Sequence, residues 1–428
     1  PNSTLDAGIE LYSAGWSSPG FLSDSLFQRR EWTNVSNVTD GGFKHRAQER
    51  VSLRVIAGPA VLWRSTVYAT QGRWQLFLTT PPEGGEGSGS QTEEEDRRYG
   101  FGATSALTWI LPRGEVTAGF EGRLDHADYE NWFTTDRSRD SSQTLVVGRQ
   151  ASAALFVQAQ FDFTHHLRAR VGGRFDARTT RSTPAGQAGL SHGTGVFVPK
   201  FGLLYHLPRL GAVYANVSRG FRQTDGVIED PTLPFITAWA YEGGLKVDRG
   251  ALSGSIALFR MDVSNEQTFD PVTLRSASGG ASRRQGVELD AVLRVAPWLA
   301  LSGDWTLNDA RYTRLITADG DTLSGARVYN TAEYVGVVAA TFAPSAGPWS
   351  ARVSANVVGP YSPFDEPGVE LPGYGLLHAS ASYALGPNRS VNVGVRNLLD
   401  RTFPELRAGG CVVPGQPRTL FASVTIAP

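Results

Sequence analysis

The residues best suited to binding chemistry cluster in Tyr129-Glu130-Asn131-Trp132-Phe133-Thr134-Thr135-Asp136-Arg137-Ser138-Arg139. The rings of Tyr129, Trp132 and Phe133 offer faces to planar catecholate or heterocyclic ligands, and the guanidinium groups of Arg137 and Arg139 can pair with anionic oxygens. The competing reading is that these rings simply pack one loop on another. A second, similar group, Arg219, Phe221, Arg222 and Trp239, lies beside another long connector.

Catalytic chemistry finds no support. Seven histidines are scattered along the chain, and the adjacent pair His165-His166 lies in a tight turn whose neighbouring side chains diverge, so no metal site is expected and no cofactor is implied. Gly84-Gly85-Glu86-Gly87 is acidic, which would repel phosphate. The run Glu93-Glu94-Glu95-Asp96 reads as a solvated loop tip, with a divalent-cation bridge to lipopolysaccharide as the alternative. The lone Cys411 has no partner for an internal disulfide.

These residues must be carried by β-strands, because a two-residue period recurs throughout. Leu167, Ala169, Val171 and Phe175 oppose Arg168, Arg170, Arg174 and Asp176, while Val287, Leu289, Ala291 and Leu293 oppose Glu288, Asp290, Val292 and Arg294. Such strands separate an apolar face from a wet one. The charged sets are therefore expected to line an aqueous lumen, pairing across strands by default or contacting a further part of the protein held inside it. Tight turns fall at Gly58-Pro59, Pro112-Arg113-Gly114, His165-His166, Pro208-Arg209, Asp248-Arg249-Gly250, Ala296-Pro297, Gly347-Pro348 and Pro387-Asn388-Arg389. Between them lie long connectors, roughly residues 13–46, 81–96, 127–145, 178–196, 219–237, 264–282, 312–329, 360–372 and 401–416, well beyond the usual hairpin loop of about 2–5 residues. Short turns on one rim and long connectors on the other predict an all-β, antiparallel transmembrane barrel of about 18 strands, with Trp109, Trp298 and Trp349 as an interfacial girdle.

Composition agrees. The chain has 48 Gly, 21 Phe, 13 Tyr and 10 Trp but one Cys and one Met, and its mean hydropathy is −0.21. No run approaches the roughly 20 apolar residues a spanning helix needs, whereas barrel strands hide their hydrophobicity by alternation. A formal net charge of −1 argues against nucleic-acid binding.

The C-terminal stretch Asn397-Leu398-Leu399-Asp400-Arg401-Thr402-Phe403-Pro404, then Pro414-Gly415-Gln416-Pro417-Arg418 and a final alternating strand, resembles the end of the β-barrel of TonB-dependent outer-membrane receptors. Upstream, Tyr214–Arg222, Tyr241–Lys246 and Gln285–Asp290 resemble barrel segments of that family in the expected order. The resemblance implies a single barrel domain over residues 1–428, a fragment of a 22-stranded barrel that lacks the N-terminal plug and about four strands. It further implies an outer-membrane receptor for a scarce large ligand, most often a ferric siderophore or a cobalamin-type molecule. Release would follow when TonB pulls on the plug. A passive porin or a structural or adhesion barrel would share the barrel and stays open as an alternative. Family members commonly end on an aromatic residue, and this chain ends Val424-Thr425-Ile426-Ala427-Pro428.

Overall fold

The computed structural model describes residues 2–18, 22–31, 37–80, 89–223, 230–270, 275–316, 322–345, 347–363, 369–408 and 411–426. Eighteen antiparallel strands follow one another in chain order. They are Ser3–Ser17, Gly41–Ile56, Val61–Thr80, Ser90–Leu111, Gly114–Thr135, Ser138–Asp162, Leu167–Pro184, Leu190–Leu207, Gly211–Arg222, Ile236–Arg249, Leu252–Asp270, Arg275–Ala296, Leu299–Ile316, Tyr334–Phe342, Trp349–Val358, Tyr374–Gly386, Arg389–Arg396 and Thr419–Ile426. Each pairs with the next, as in Ser65↔Ser105 and Ala153↔Ala177, so the wall is an up-and-down meander.

All eight expected tight turns connect neighbouring strands. Arg209 and Gly250 adopt left-handed conformations there, with φ of 67° and 60°. The opposite rim differs from expectation. Strands between Val61 and Leu207 run 18 to 25 residues, whereas a tilted strand crosses the hydrocarbon with about 9–11. The tight turns pin one end, so the surplus stands above the other as paired ribbon. The connector expected over 127–145 is therefore mostly strand, with a turn at Asp136-Arg137 and pairing that resumes at Ser138. The one over 178–196 is likewise strand through Pro184 and again from Leu190. The acidic run is corrected too: Glu93 to Asp96 lie within strand Ser90–Leu111, where Glu93 and Glu95 are 1% and 2% exposed. Gly84-Gly85-Glu86-Gly87 lies outside the described residues.

Two connectors meet at the long rim. Leu22-Ser23, Cys411–Pro414 and Pro404–Ala408 form a small separate sheet, with Leu22 opposite Val412, and Arg407 Nη1 lies 3.5 Å from Asp24 Oδ2. The wall must curl to bring the connector after its first strand against the one before its last. Buried Cys411 lies in this sheet and forms no disulfide.

The C-terminal motif supplies the clasp beneath it. Asn397 is buried in a left-handed conformation, and its Nδ2 donates to the carbonyls of Arg401 and Gln416 at 2.8 and 3.1 Å while its Oδ1 accepts from Arg401 N at 2.9 Å. Asp400 accepts from Arg418 N at 2.8 Å, and Leu398 N donates to Leu377 O at 2.7 Å. A Cβ on Gly415 would come within 2.1 Å of the Phe403 ring, so only glycine fits between Pro414 and the Gln416-Pro417 segment. Leu399 is exposed. These residues hold the chain's turn rather than a ligand.

Alternation sorts the faces as expected. Phe101, Leu289, Leu301 and Val393 are exposed on the apolar side, and Trp109, Trp298 and Trp349 are exposed beside short turns, with Trp298 stacked on Phe342 at 6.2 Å. Arginine at Leu289 or Leu301 should cost about 2–4 kcal/mol near the bilayer midplane, and arginine at Ser302 or Asn392, on the other face, should be mild. Refolding of the variants into lipid vesicles under urea measures this; equal costs on both faces would remove the assignment of the two walls.

Candidate ligand site in the lumen

The inner faces of several strands enclose a cavity of ≈680 Å³ whose lining includes Arg46, Asp96, Arg98, Glu121, Arg123, Asp125, Gln150, Arg174, Asp176, Arg178, Phe221, Gln223 and Phe235. The two-residue period builds this wall. Asp96 and Arg98, Arg123 and Asp125, and Arg174 and Asp176 are each two apart, so each pair projects from one face of one strand. Arg98 Nε donates to Asp96 at 2.7 Å, Arg123 Nη2 to Asp125 at 2.7 Å, and Arg174 donates to Asp176 at 2.7 Å and to Glu121 at 2.9 Å.

Arg178 breaks this pattern. It shares the face of Arg174 and Asp176, but the residue two positions on is Thr180 and Asp176 already serves Arg174. Arg178 is 4% exposed, none of its three guanidinium nitrogens has a hydrogen-bond partner among the described residues, and it lies 4.6 Å from the centre of the Phe235 ring. Around it, Gln150 Oε1 accepts from Thr180 Oγ1 at 3.2 Å and Gln223 Nε2 at 2.5 Å, and Phe235 meets Phe221 edge-on at 5.0 Å. Sequence reading stopped at Asp176 and missed this residue. The signal was present, since Arg168, Arg170, Arg174, Asp176 and Arg178 put four bases and one acid on one face.

The other inward candidates divide. Arg168 and Arg170 line a second cavity of ≈630 Å³, the first held by Asp162 at 2.6 Å and the second donating to Gln160 at 2.6 Å. Asp290 accepts from Ser255 N and Oγ at 2.9 and 2.6 Å. Glu288 and Arg294 share its parity on Arg275–Ala296, opposite the exposed Leu289 and Leu293. Among the described residues no three His, Cys, Asp or Glu side chains converge as a metal cage.

Of the hairpin candidates, none lines the ≈680 Å³ cavity. Arg139 instead reaches back to the acidic run, donating to Glu93 at 2.7 and 2.8 Å, to Glu95 at 2.8 Å and to Glu130 at 2.9 Å, with its guanidinium 4.8 Å from the Trp132 ring centre. Trp132 Nε1 donates to Glu130 at 3.0 Å. Arg137 Nε donates to Thr39 O at 2.6 Å while its guanidinium covers Phe77 at 4.9 Å. Below the turn, Asp40 accepts from Thr79 and Gln91, and Gln91 accepts from Thr134 and Arg137 N. These bonds brace the ribbons, leaving Phe133 exposed and Tyr129 half-buried on the hairpin.

Burial pushes the Glu93 and Glu95 carboxyls up. Hydrogen bonds and positive charge outweigh it, from Arg139 and Gln75 on Glu93 and from Arg97 and Arg73 on Glu95, and hold both below the ordinary 4.5. Their contribution to stability is thus full above 4.5 and is lost as pH falls through the lowered values. Arg139→Ala leaves buried Glu93 without its arginine and Glu95 with Arg73 and Arg97 alone. Because Arg139 is 35% exposed, solvent screening discounts the usual penalty for a broken buried pair to about 2 kcal/mol. Hydrogen exchange should show amides of 91–95 and 130–134 losing protection in the variant at neutral pH, and in the wild type only well below pH 4.5; unchanged protection in the variant would refute the bracing role.

The wall, its polar lumen and its one-sided surplus of ribbon define a large outer-membrane β-barrel. The family described as "TonB dependent receptor-like, beta-barrel" matches residues 2–398, and the chain belongs to it. It is therefore a bacterial outer-membrane protein of a receptor and transporter family, not an enzyme. It is 27% identical over 290 residues to the metal-pseudopaline receptor CntO of Pseudomonas aeruginosa strain PAO1, covering 64% of this chain and 40% of that protein. The chain spans about two fifths of that curated relative's length. Among solved structures it is similar to the ferric citrate transporter FecA, with 18% identity, TM-score 0.83, and coverage of 99% of this chain and 67% of that one. It also resembles the ferric yersiniabactin uptake receptor FyuA of Yersinia pestis, with 14% identity, TM-score 0.78, and coverage of 99% and 67%.

Proposed function

We propose that the full-length protein binds a scarce metal complex at its long rim and passes it through the lumen, driven by TonB acting on a plug domain that precedes this barrel. The observation that carries this reading is the charge-lined cavity opening beneath the long ribbons, in a chain of this receptor family. A cavity of ≈680 Å³ falls within the range of about 300–1,000 Å³ that holds small-molecule ligands. The names of the similar proteins support a metal complex as the cargo class, since they include a metal-pseudopaline receptor, a ferric citrate transporter and a copper transporter. A ferric siderophore is the leading case within that class, and a cobalamin-type ligand is the alternative.

The hairpin Tyr129–Arg139 takes a divided role in this reading. Arg137, Arg139 and Trp132 stiffen it, and the rings of Tyr129 and Phe133 meet incoming ligand. The double substitution Tyr129→Ala with Phe133→Ala removes the rings without disturbing the arginine bracing. In cells carrying the full-length protein, uptake of a labelled chelate panel should be saturable and abolished by a protonophore, and the double variant should need roughly tenfold more ligand for half-maximal uptake, about 1.4 kcal/mol. Unsaturable uptake indifferent to the protonophore would establish a passive pore instead, and unchanged half-saturation in the variant would release the hairpin alone from its role.

A further inference from the structure

We infer that Arg178 is the anion anchor of the luminal site, and that the cargo is a metal chelate carrying at least one free carboxylate. This rests on the receptor reading above. Among the described residues six arginines line the ≈680 Å³ cavity. Arg46 pairs with Glu10, Arg73 with Glu95, Arg98 with Asp96, Arg123 with Asp125, and Arg174 with Asp176 and Glu121. Arg178 alone among them has no acceptor among the described residues, and it is the most deeply buried, at 4% exposure.

A guanidinium withdrawn from water with no acceptor is costly, and one cation–π contact offsets only part of that cost. The planar fork with unused N–H donors matches the two oxygens of a carboxylate. Around it the chemistry suits a small chelate: the edge-on rings of Phe221 and Phe235 offer apolar surface, and the Gln150–Gln223 pair offers amide donors and acceptors. Phe235 now covers the guanidinium at 4.6 Å. A bound carboxylate would take over from that ring.

Position favours a ligand arriving from outside over a carboxylate of the plug. Arg178 lies eleven residues beyond Leu167, the first residue after the tight turn at His165-His166. At about 3.3 Å per residue and a tilt near 45°, that places it roughly 25 Å above the short-turn rim. Its neighbours Phe221 and Gln223 sit at the end of strand Gly211–Arg222, where the chain enters a long connector.

The test uses the full-length protein in detergent and two probe classes of similar size: ferric citrate and nickel(II) aminopolycarboxylates against neutral ferric tris-hydroxamates. Arg178→Gln should weaken binding of the carboxylate chelates about ten- to hundredfold, the range for a hydrogen bond to a charged group, and shift the neutral probes less than about twofold. Arg178→Lys, which keeps charge without the fork, should fall between. Phe235→Ala, which uncovers an intact guanidinium, should raise the preference for carboxylate over neutral chelates. Equal losses for both classes, or none, overturn the anchor. Unchanged binding in Arg178→Gln together with raised single-channel conductance in planar bilayers would assign Arg178 to the plug and overturn it as well. A wild type that binds neither class sinks the receptor reading itself, an outcome distinct from wild-type binding that is indifferent to Arg178.

Discussion

Hydrocarbon offers no hydrogen bonds, so within the bilayer every N–H and C=O of this chain must find its partner on a neighbouring strand. Up-and-down pairing meets that demand on both sides of the strands between Ser3–Ser17 and Thr419–Ile426, and among the described residues on one side of those two. Once the backbone is committed in this way, side chains can only alternate. One set, with Leu289, Leu301 and Val393, faces the apolar side, and the other is left to build the lumen. The small sheet joining Leu22-Ser23 to Cys411–Pro414 then ties together connectors that stand at opposite ends of the meander.

The same alternation organises charge. Two residues along a strand return to the same face, which is why Asp96–Arg98, Arg123–Asp125 and Arg174–Asp176 pair within single strands and leave a lumen that is charged yet locally neutral. Against that background Arg178 is informative, because among the described residues neither an acid two residues away nor one on a neighbouring strand serves its buried guanidinium. Above the membrane the logic is different. There the ribbons stand clear of lipid, and Glu93 and Glu95 become buried because Arg73, Arg97 and Arg139 converge on them from three strands.

The features legible in the sequence were those set by neighbours along the chain. Turn residues such as Pro112-Arg113 and Asp248-Arg249-Gly250 located the short rim, and alternating valines and leucines located the apolar face. What failed depended on partners distant in sequence. Glu93-Glu94-Glu95-Asp96 read as a solvated tip because its neutralising arginine, Arg139, is 46 residues from Glu93 and emerges only through strand register. At Tyr129–Arg139, which read as a ligand surface or as rings packing loop on loop, strand register likewise commits the arginines to bracing. Arg178 was within reach, since its strand carries more bases than acids on one face, but its burial under Phe235 comes from a segment 57 residues away and could not be read locally.

The central claim is that one wall of each strand faces lipid and the other a wet lumen that receives the cargo. Site-directed spin labels placed one at a time along Val287–Arg294 and Leu167–Arg178 of the full-length protein in lipid vesicles test it most directly. Collision accessibility to oxygen should peak at Leu289, Leu293, Val171 and Phe175, and accessibility to a water-soluble nickel complex should be relatively greater at Glu288, Asp290, Arg170 and Arg174, with a period of two throughout. A flat profile, or one with a helical period, would contradict the two-walled barrel and every functional inference drawn from its lumen.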